Sequence, residues 1–247
     1  MDRLIGIHAV REALLAGRPL DRIVMVRGRH GNRFEELVDM ARQRGVSVRF
    51  EDRAQLDRLA GSGQHQGVVA LTAAKQASDL ADLIAQGASR ENGKGFLVLL
   101  DGVEDPHNLG AIVRTALAAG ADGVVIPERR SVGITDTVAR VSAGALSHLP
   151  VARVKNLARA MKELKEVGYW LVGLDERAEK NYAAVDFTGP VGIVLGGEGV
   201  GLHELTRKRC DFLVSIPTAG PVRSLNVSVA AGVVLFEVVR QRAKLNS

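Results

Sequence analysis

Polar residues with chemical potential gather in three short stretches of this chain. The first runs Asp101-Gly102-Val103-Glu104-Asp105-Pro106-His107-Asn108-Leu109-Gly110-Ala111-Ile112-Val113-Arg114-Thr115. Asn108 can cap a helix that ends at Gly120, and Gly110 and Arg114, four residues apart, share a helical face. Helical side chains lean toward the N-terminus, so Arg114 would point back at the preceding loop. A guanidinium there either meets an anion or is a solvated arginine on an alanine-rich helix; the spacing permits both. The second stretch, Gly196-Gly197-Glu198-Gly199-Val200-Gly201, holds one carboxylate among glycines that let a ligand approach the backbone. It comes too late in its sheet for a dinucleotide fingerprint, which also needs glycine where Leu202 stands, and no Gly-Lys-Ser/Thr marks a phosphate loop. The third stretch, Ile216 to Ala231, is a loop punctuated by Pro217, Gly220 and Pro221 that leads through Ser224 to Asn226, a favoured helix cap. The helix after it, Val227 to Val239, is apolar on nearly every side, which calls for burial in a core or against a second subunit.

Each stretch follows an apolar strand. From Phe96 onward, strands are expected at Phe96–Leu100, Gly123–Ile126, Val151–Val154, Tyr169–Leu174, Val191–Leu195 and Phe212–Ile216. Helices are expected near Leu109–Ala119, Thr135–Leu146, Leu157–Val167, Leu202–Lys208 and Asn226–Arg240. Unbroken apolar strands alternating with helices predict an α/β fold with a parallel sheet covered on both faces, whose ligands bind beyond the carboxyl ends of the strands. Residues 1–75 read as a smaller α/β domain, with helices at 5–17 and around Phe34–Ala41 and strands at Ile23–Val26, Val46–Phe50 and Gly67–Leu71. Residues 76–94 change composition and read as a linker with a short helical piece at Leu80, Leu83 and Ile84, leaving 95–247 as the second domain.

Composition narrows the classes. The chain has 247 residues, 46% hydrophobic and 25% charged, an ordinary globular balance. No apolar run has the roughly 18–20 residues that span a bilayer, and the first residues lack the apolar block of a signal peptide, so a cytoplasmic location without membrane contact is expected. One cysteine, Cys210, excludes an internal disulfide and a cysteine zinc site, and the six histidines are dispersed, so no metal is expected. Cys210 follows Arg207, Lys208 and Arg209 but reads as a small residue entering a strand rather than an activated thiol. The net charge of +5 is concentrated early: residues 1–75 hold thirteen basic and nine acidic residues, and twelve of the thirteen are arginines. Arginine's planar fork suits phosphates and base edges, which makes nucleic acid the expected partner.

Together the three stretches resemble the SpoU (TrmH-like) branch of the SPOUT RNA methyltransferases. Asn108-Leu109-Gly110-Ala111-Ile112-Val113-Arg114-Thr115-Ala116 is similar to its first motif and Val194-Leu195-Gly196-Gly197-Glu198-Gly199 to its second, with Gly-Gly-Glu-Gly in place of the usual Gly-Ala-Glu-Gly. Ser215-Ile216-Pro217 with Ser224-Leu225-Asn226-Val227-Ser228-Val229-Ala230 is similar to the third. Gly6-Ile7-His8-Ala9-Val10 and His65-Gln66-Gly67 resemble the ribosomal-protein-L30e-like substrate-binding domain found in this group. Within the family, the resemblance is to bacterial enzymes that methylate the ribose 2′-hydroxyl of a guanosine in the peptidyl-transferase P loop of 23S rRNA.

The resemblance implies a trefoil knot in the second domain, a homodimer joined through the helix after Asn226, and S-adenosylmethionine held by backbone at Gly196, Gly197, Ile216 and Leu225. It also implies a catalytic set of Arg114, Asn108, Glu198, Ser224 and Asn226, acting without a metal. In the family's scheme the arginine is the base. A guanidinium is effectively always protonated, so charge stabilisation by Arg114, oriented by Glu198, is the physically better role. Related readings are a 2′-O-methyltransferase of tRNA or of another rRNA nucleoside. From another class, a non-catalytic RNA-binding ribosome-assembly protein would be expected to have lost Arg114, Glu198 or Asn226, and all three are present.

Overall fold

Short apolar strands separated by amphipathic helices build two separate sheets in the computed structural model, which describes residues 3–15, 17, 20–29, 31–61, 65–72, 78–90, 93–221 and 224–244. The chain divides into two units, Met1–Gln76 and Ala77–Ser247. In the first, β1 (Arg3–Ile5), β2 (Leu20–Val26), β3 (Ser47–Glu51) and β4 (Val68–Thr72) form a mixed sheet of order β1-β4-β2-β3. Helices α1 (Ile7–Leu15) and α2 (Asn32–Gln43) bury Val10, Leu14, Phe34 and Leu37 on it. A third helix, α3 (Arg53–Ala60), is capped by Asp52, which accepts from Gln55 N–H at 2.7 Å, and ends at Gly61 with φ 68°. Sequence reading missed β1 and α3. The three residues of β1 have no periodicity of their own and become a strand only by antiparallel pairing with Val69–Leu71 of β4.

The second unit carries the sheet predicted from the apolar runs. Strands β5 (Phe96–Asp101), β6 (Gly123–Pro127), β7 (Val151–Val154), β8 (Trp170–Leu174), β9 (Val191–Gly196) and β10 (Phe212–Val214) line up as β10-β8-β9-β5-β6-β7. Every pairing is parallel. Alternate residues of β5 feed two cores: Phe96, Val98 and Leu100 face α5 (Pro106–Ala118) and α9 (Val227–Ala243), while Leu97 and Leu99 face α7 (Leu157–Glu166).

Three expectations change. Within the residues 76–94 read as a linker, the short helical piece expected at Leu80, Leu83 and Ile84 forms as α4 (Leu80–Ala88), but it packs into the second unit: an Asp79–Asp82 capping box starts it, and Leu80 and Leu83 are buried in the second core. The cap of α5 is Asp105, which accepts from His107 N–H at 2.9 Å, with Pro106 in the first turn; Asn108 lies inside the helix with its amide available for other partners. The helix expected over Thr135–Leu146 stops as α6 (Asp136–Val141), because Ala143 (φ 48°) and Gly144 (φ 86°) turn left-handed. The remaining helix, α8 (Glu204–Arg209), precedes β10. Among the described residues no helix is long and apolar enough to cross a membrane.

Candidate active site

The carboxyl edge of the second sheet is locked together before any ligand is considered. Asp101, at the end of β5, is buried; its Oδ2 accepts from His203 N–H at 2.9 Å and its Oδ1 lies 3.1 Å from His203 Nδ1. Its carbonyl accepts from Gly197 N–H at 2.8 Å, so the loop after β5 and the loop after β9 are fastened to each other. The glycines here answer to that packing. A Cβ on Gly196 would strike the Gly201–Leu202 backbone, and one on Gly197 would strike the Gly102 carbonyl. Close approach of chain to chain, rather than of ligand alone, is why side chains are excluded there.

Three predicted residues meet over this base. The Asn108 amide donates to Glu198 Oε1, and the Asn226 amide donates to Asn108 Oδ1 at 3.1 Å and reaches Glu198 Oε1 at 3.5 Å. Asn226 Oδ1 accepts from Ser228 N–H at 2.9 Å and Val229 N–H at 3.4 Å, capping α9 as expected. The start of α9, the glycine loop and the first turn of α5 are thus tied through one carboxylate. Gly196, Gly197, Glu198, Ile216, Ser224, Leu225 and Asn226 all line one cleft of about 560 Å³. A second cleft of about 300 Å³ lies along the same glycine loop, lined by Glu104, Asp105, Asn108, Arg130, Glu198 and His203.

Arg114 is the exception. It is exposed, lines neither cleft, and forms no hydrogen bond or ion pair with the described residues. At about 100° per residue it sits roughly 240° around α5 from Asn108, so one helix cannot aim both side chains at Glu198. Within one chain, Glu198 orients the two asparagines and not Arg114.

Sequence reading passed over Asp175, which follows β8 and lines the larger cleft. Burial alone would raise its pKa, but hydrogen bonds from the Arg177 side chain and backbone, with the charges of Arg177 and Arg207, hold it below the ordinary carboxylate range. Arg177 Nε lies 3.1 Å and Arg207 Nε 2.8 Å from its carboxylate. Arg130, after β6, was also missed; a signal for both was their place at the carboxyl edge of a parallel sheet. Cys210 packs against the second core, and burial pushes its thiol up to about 12, so it is inert as read. Among the described residues no group of three or more His, Cys, Asp or Glu side chains could hold a metal ion.

The first unit has a cleft of its own, about 750 Å³, lined by Arg27, Arg29, Arg53, His65, Gln66 and Gly67. Arg27 Nη2 donates to the Phe50 carbonyl at 3.2 Å, and Arg29 Nη1 to the Gln66 carbonyl at 3.1 Å while its guanidinium lies 5.3 Å from the Phe34 ring centre. Among the described residues none of these three arginines pairs with a carboxylate. His65 is buried and holds the turn: Nδ1 accepts from Gly67 N–H at 2.9 Å, and Nε2 lies 2.9 Å from Asp57 Oδ1.

Residues 95–236 match the SpoU rRNA Methylase family, and residues 3–78 match the RNA 2′-O ribose methyltransferase substrate-binding family. The chain belongs to the SpoU rRNA methylase family. This SpoU protein is 45% identical over 241 residues to a Bacillus subtilis protein named for the TrmH family of tRNA/rRNA methyltransferases, covering 98% of this chain and 96% of the relative. A Staphylococcus haemolyticus protein of the same description is 43% identical over 239 residues, covering 97% and 95%. Among solved structures, the SpoU methyltransferase AviRb from Streptomyces viridochromogenes superposes with a TM-score of 0.72 at 29% identity, covering 98% of this chain and 90% of its own. An AdoMet-bound rRNA methyltransferase from Sinorhizobium meliloti gives 0.72 at 27% identity, covering 96% and 86%. The SpoU chain is accordingly an α/β RNA 2′-O-ribose methyltransferase, with a parallel-sheet SPOUT domain and a small N-terminal domain.

Proposed function

We propose that this SpoU enzyme transfers the methyl group of S-adenosylmethionine to the ribose 2′-hydroxyl of a guanosine in the peptidyl-transferase P loop of 23S rRNA, in the cytoplasm and as a homodimer. The single observation carrying the reading is the convergence of Asn108, Glu198 and Asn226 from three loops beside a cleft bounded by the two expected cofactor-binding segments. The cleft suits the cofactor: Leu174, Leu195, Ile216 and Leu225 offer apolar wall, Gly196 and Gly197 expose backbone, and the ionised Asp175 can accept from sugar hydroxyls. The AdoMet-bound state of the Sinorhizobium relative supports the same ligand here. When bound, S-adenosylmethionine supplies an electrophilic methyl.

The protein's share is positioning and charge. Glu198, held by two amides, keeps lone pairs for the ribose hydroxyl, and Ser224 beside Asn226 adds a hydroxyl at the cleft. A 2′-hydroxyl is a poor nucleophile at neutral pH, so orienting it and stabilising its developing negative charge are what accelerate transfer.

Arg114 enters this reading from the partner protomer. Val229 and Phe236 leave 53% and 48% of their surface exposed along one stripe of α9, and Gly232 on that stripe adjoins Thr115 of α5, next to Arg114. A two-fold dimer through this face would cover the apolar stripe and carry each Arg114 across to the other protomer. The knotted path implied by the resemblance belongs to the same reading. Residues 1–75 bind the RNA substrate, supported by the three unpaired arginines of their cleft, and 95–247 carry the chemistry.

Tritium transfer from labelled S-adenosylmethionine into rRNA and tRNA, followed by nucleoside mapping, tests the whole. Label in 2′-O-methylguanosine of 23S rRNA is expected; label confined to tRNA or to another nucleoside would move the reading to those substrates. For the dimer, mixing inactive Arg114→Ala chains with inactive Glu198→Ala chains should restore about a quarter of wild-type activity, the statistical share of intact sites. No recovery would place Arg114 and Glu198 in the same protomer's site.

A further inference from the structure

Arg130 has no assigned task, yet its placement is costly and specific. It follows β6 at the carboxyl edge of the sheet and adopts φ 56°, a left-handed conformation that a side chain with a Cβ disfavours. The loop around it is pinned: Val132 N–H donates to the Val103 carbonyl at 3.1 Å, fastening it to the loop after β5. The effect is to make the exposed Arg130 a lining residue of the cleft that Asn108 and Glu198 also line.

The other basic side chains lining the two clefts are committed. Arg177 pairs with Asp175 at 3.1 Å, and His203 faces Asp101 at 3.1 Å. The carboxylates lining this cleft form no ion pair with it either: Asp105 caps α5, Glu198 receives the two asparagine amides, and Arg130 is joined neither to Glu104 nor to any other described residue. Among the described lining residues, Arg130 is therefore the one basic side chain without a partner, in the cleft that the carboxylate assigned to the ribose hydroxyl also lines. A positive charge kept unpaired at the cost of a strained backbone is what an external anion needs.

We propose that Arg130 is a positioning residue that holds the RNA phosphate flanking the target ribose, so that the 2′-hydroxyl is presented to Glu198. This rests on the RNA methyltransferase reading and adds to it a residue of the same protomer that selects the register of the bound strand. The anion is a phosphodiester of single-stranded or looped RNA, since a ribose must be splayed out of a helix for its 2′-oxygen to enter the cleft.

The test uses full-length Arg130→Gly and Arg130→Lys enzymes with an in vitro transcript of 23S rRNA. Arg130→Gly should melt at or above the wild-type temperature, because glycine prefers the left-handed conformation, and should bind S-adenosylmethionine as wild type does by calorimetry. Its KM for the transcript should rise roughly tenfold, the loss of one charge-assisted contact, with kcat changed much less. The slope of log KM against log salt should become shallower by about 0.7. Arg130→Lys, which keeps the charge, should recover most of the KM. A wild-type KM and salt slope in Arg130→Gly would overturn the proposal. So would a defect that lysine does not relieve and that travels with a lower melting temperature or lost cofactor binding. If the wild-type enzyme labels no RNA, the methyltransferase reading fails on its own; filter binding of the transcript to the same variants then decides Arg130 by the same salt slope.

Discussion

Charge is used in opposite ways in the clefts of the two units of this protein. In the first, Arg27 and Arg29 are steadied by backbone carbonyls, and with Arg53 they have no carboxylate partner among the described residues. In the second, Asp101 is bound to His203, Asp175 to Arg177 and Arg207, and Glu198 to two asparagines. Unneutralised guanidinium is available to a polyanion and gives binding that is strong, salt-dependent and tolerant of sequence. Internally satisfied charge gives little affinity of that kind but fixes geometry, which methyl transfer needs. The difference separates a surface that grips from a site that aligns, and Arg130 is the departure from that pattern within the second unit's own clefts.

The largest test of that contrast is at Glu198. Glu198→Ala should lower kcat for methyl transfer by roughly 10²–10³-fold, with S-adenosylmethionine affinity nearly unchanged by calorimetry. An equal loss in cofactor binding would show that the glycine loop, not the carboxylate, had failed. Arg27→Ala combined with Arg29→Ala should do the converse, weakening RNA binding about tenfold and flattening its salt slope while leaving kcat intact at saturating RNA. A fall in kcat at saturation would erase the division of labour.

Smaller effects report on the scaffolds. His65→Ala leaves the Gly67 N–H and Asp57 without their shared partner and should cost the first unit about 1–3 kcal/mol, seen as a lowered first transition in a thermal melt. A single transition shifted for the whole chain would instead mean that the units unfold together. The weakest effect is a pH dependence in the second unit. Asp175 has a folded pKa below its unfolded one, so the folded state binds fewer protons. Its contribution is fully present above the ordinary carboxylate pKa and is lost as pH falls through the depressed value. The melting-temperature gap between wild type and Asp175→Asn should therefore close as pH drops from neutral toward 3. A gap that persists at acid pH would assign the effect to packing.

How much of this was readable in advance depends on the range of the interaction concerned. The six parallel strands were legible because each is an apolar run long enough to demand burial on both faces. The Asn226 cap was legible because capping involves neighbours two and three residues away. Short-range rules also misled: Asn108 had the right chemistry for a cap, but Asp105 with Pro106 starts the helix one turn earlier and releases Asn108 to Glu198. The break in α6 at Ala143 and Gly144 left no clear mark, since a left-handed alanine contradicts its own propensity.

The sequence by itself determined the residues of the chemistry, the alternation of strand and helix and the excess of arginine in the first unit, all of which are set by composition and by contacts close along the chain. Only the tertiary structure decided that Glu198 answers to Asn108 and Asn226, that Arg114 stands outside its own chain's clefts, and that Arg130 stands inside one. Those outcomes follow from the strand order β10-β8-β9-β5-β6-β7 and from the turn of a helix, which decide which loop ends are neighbours and which way each side chain faces.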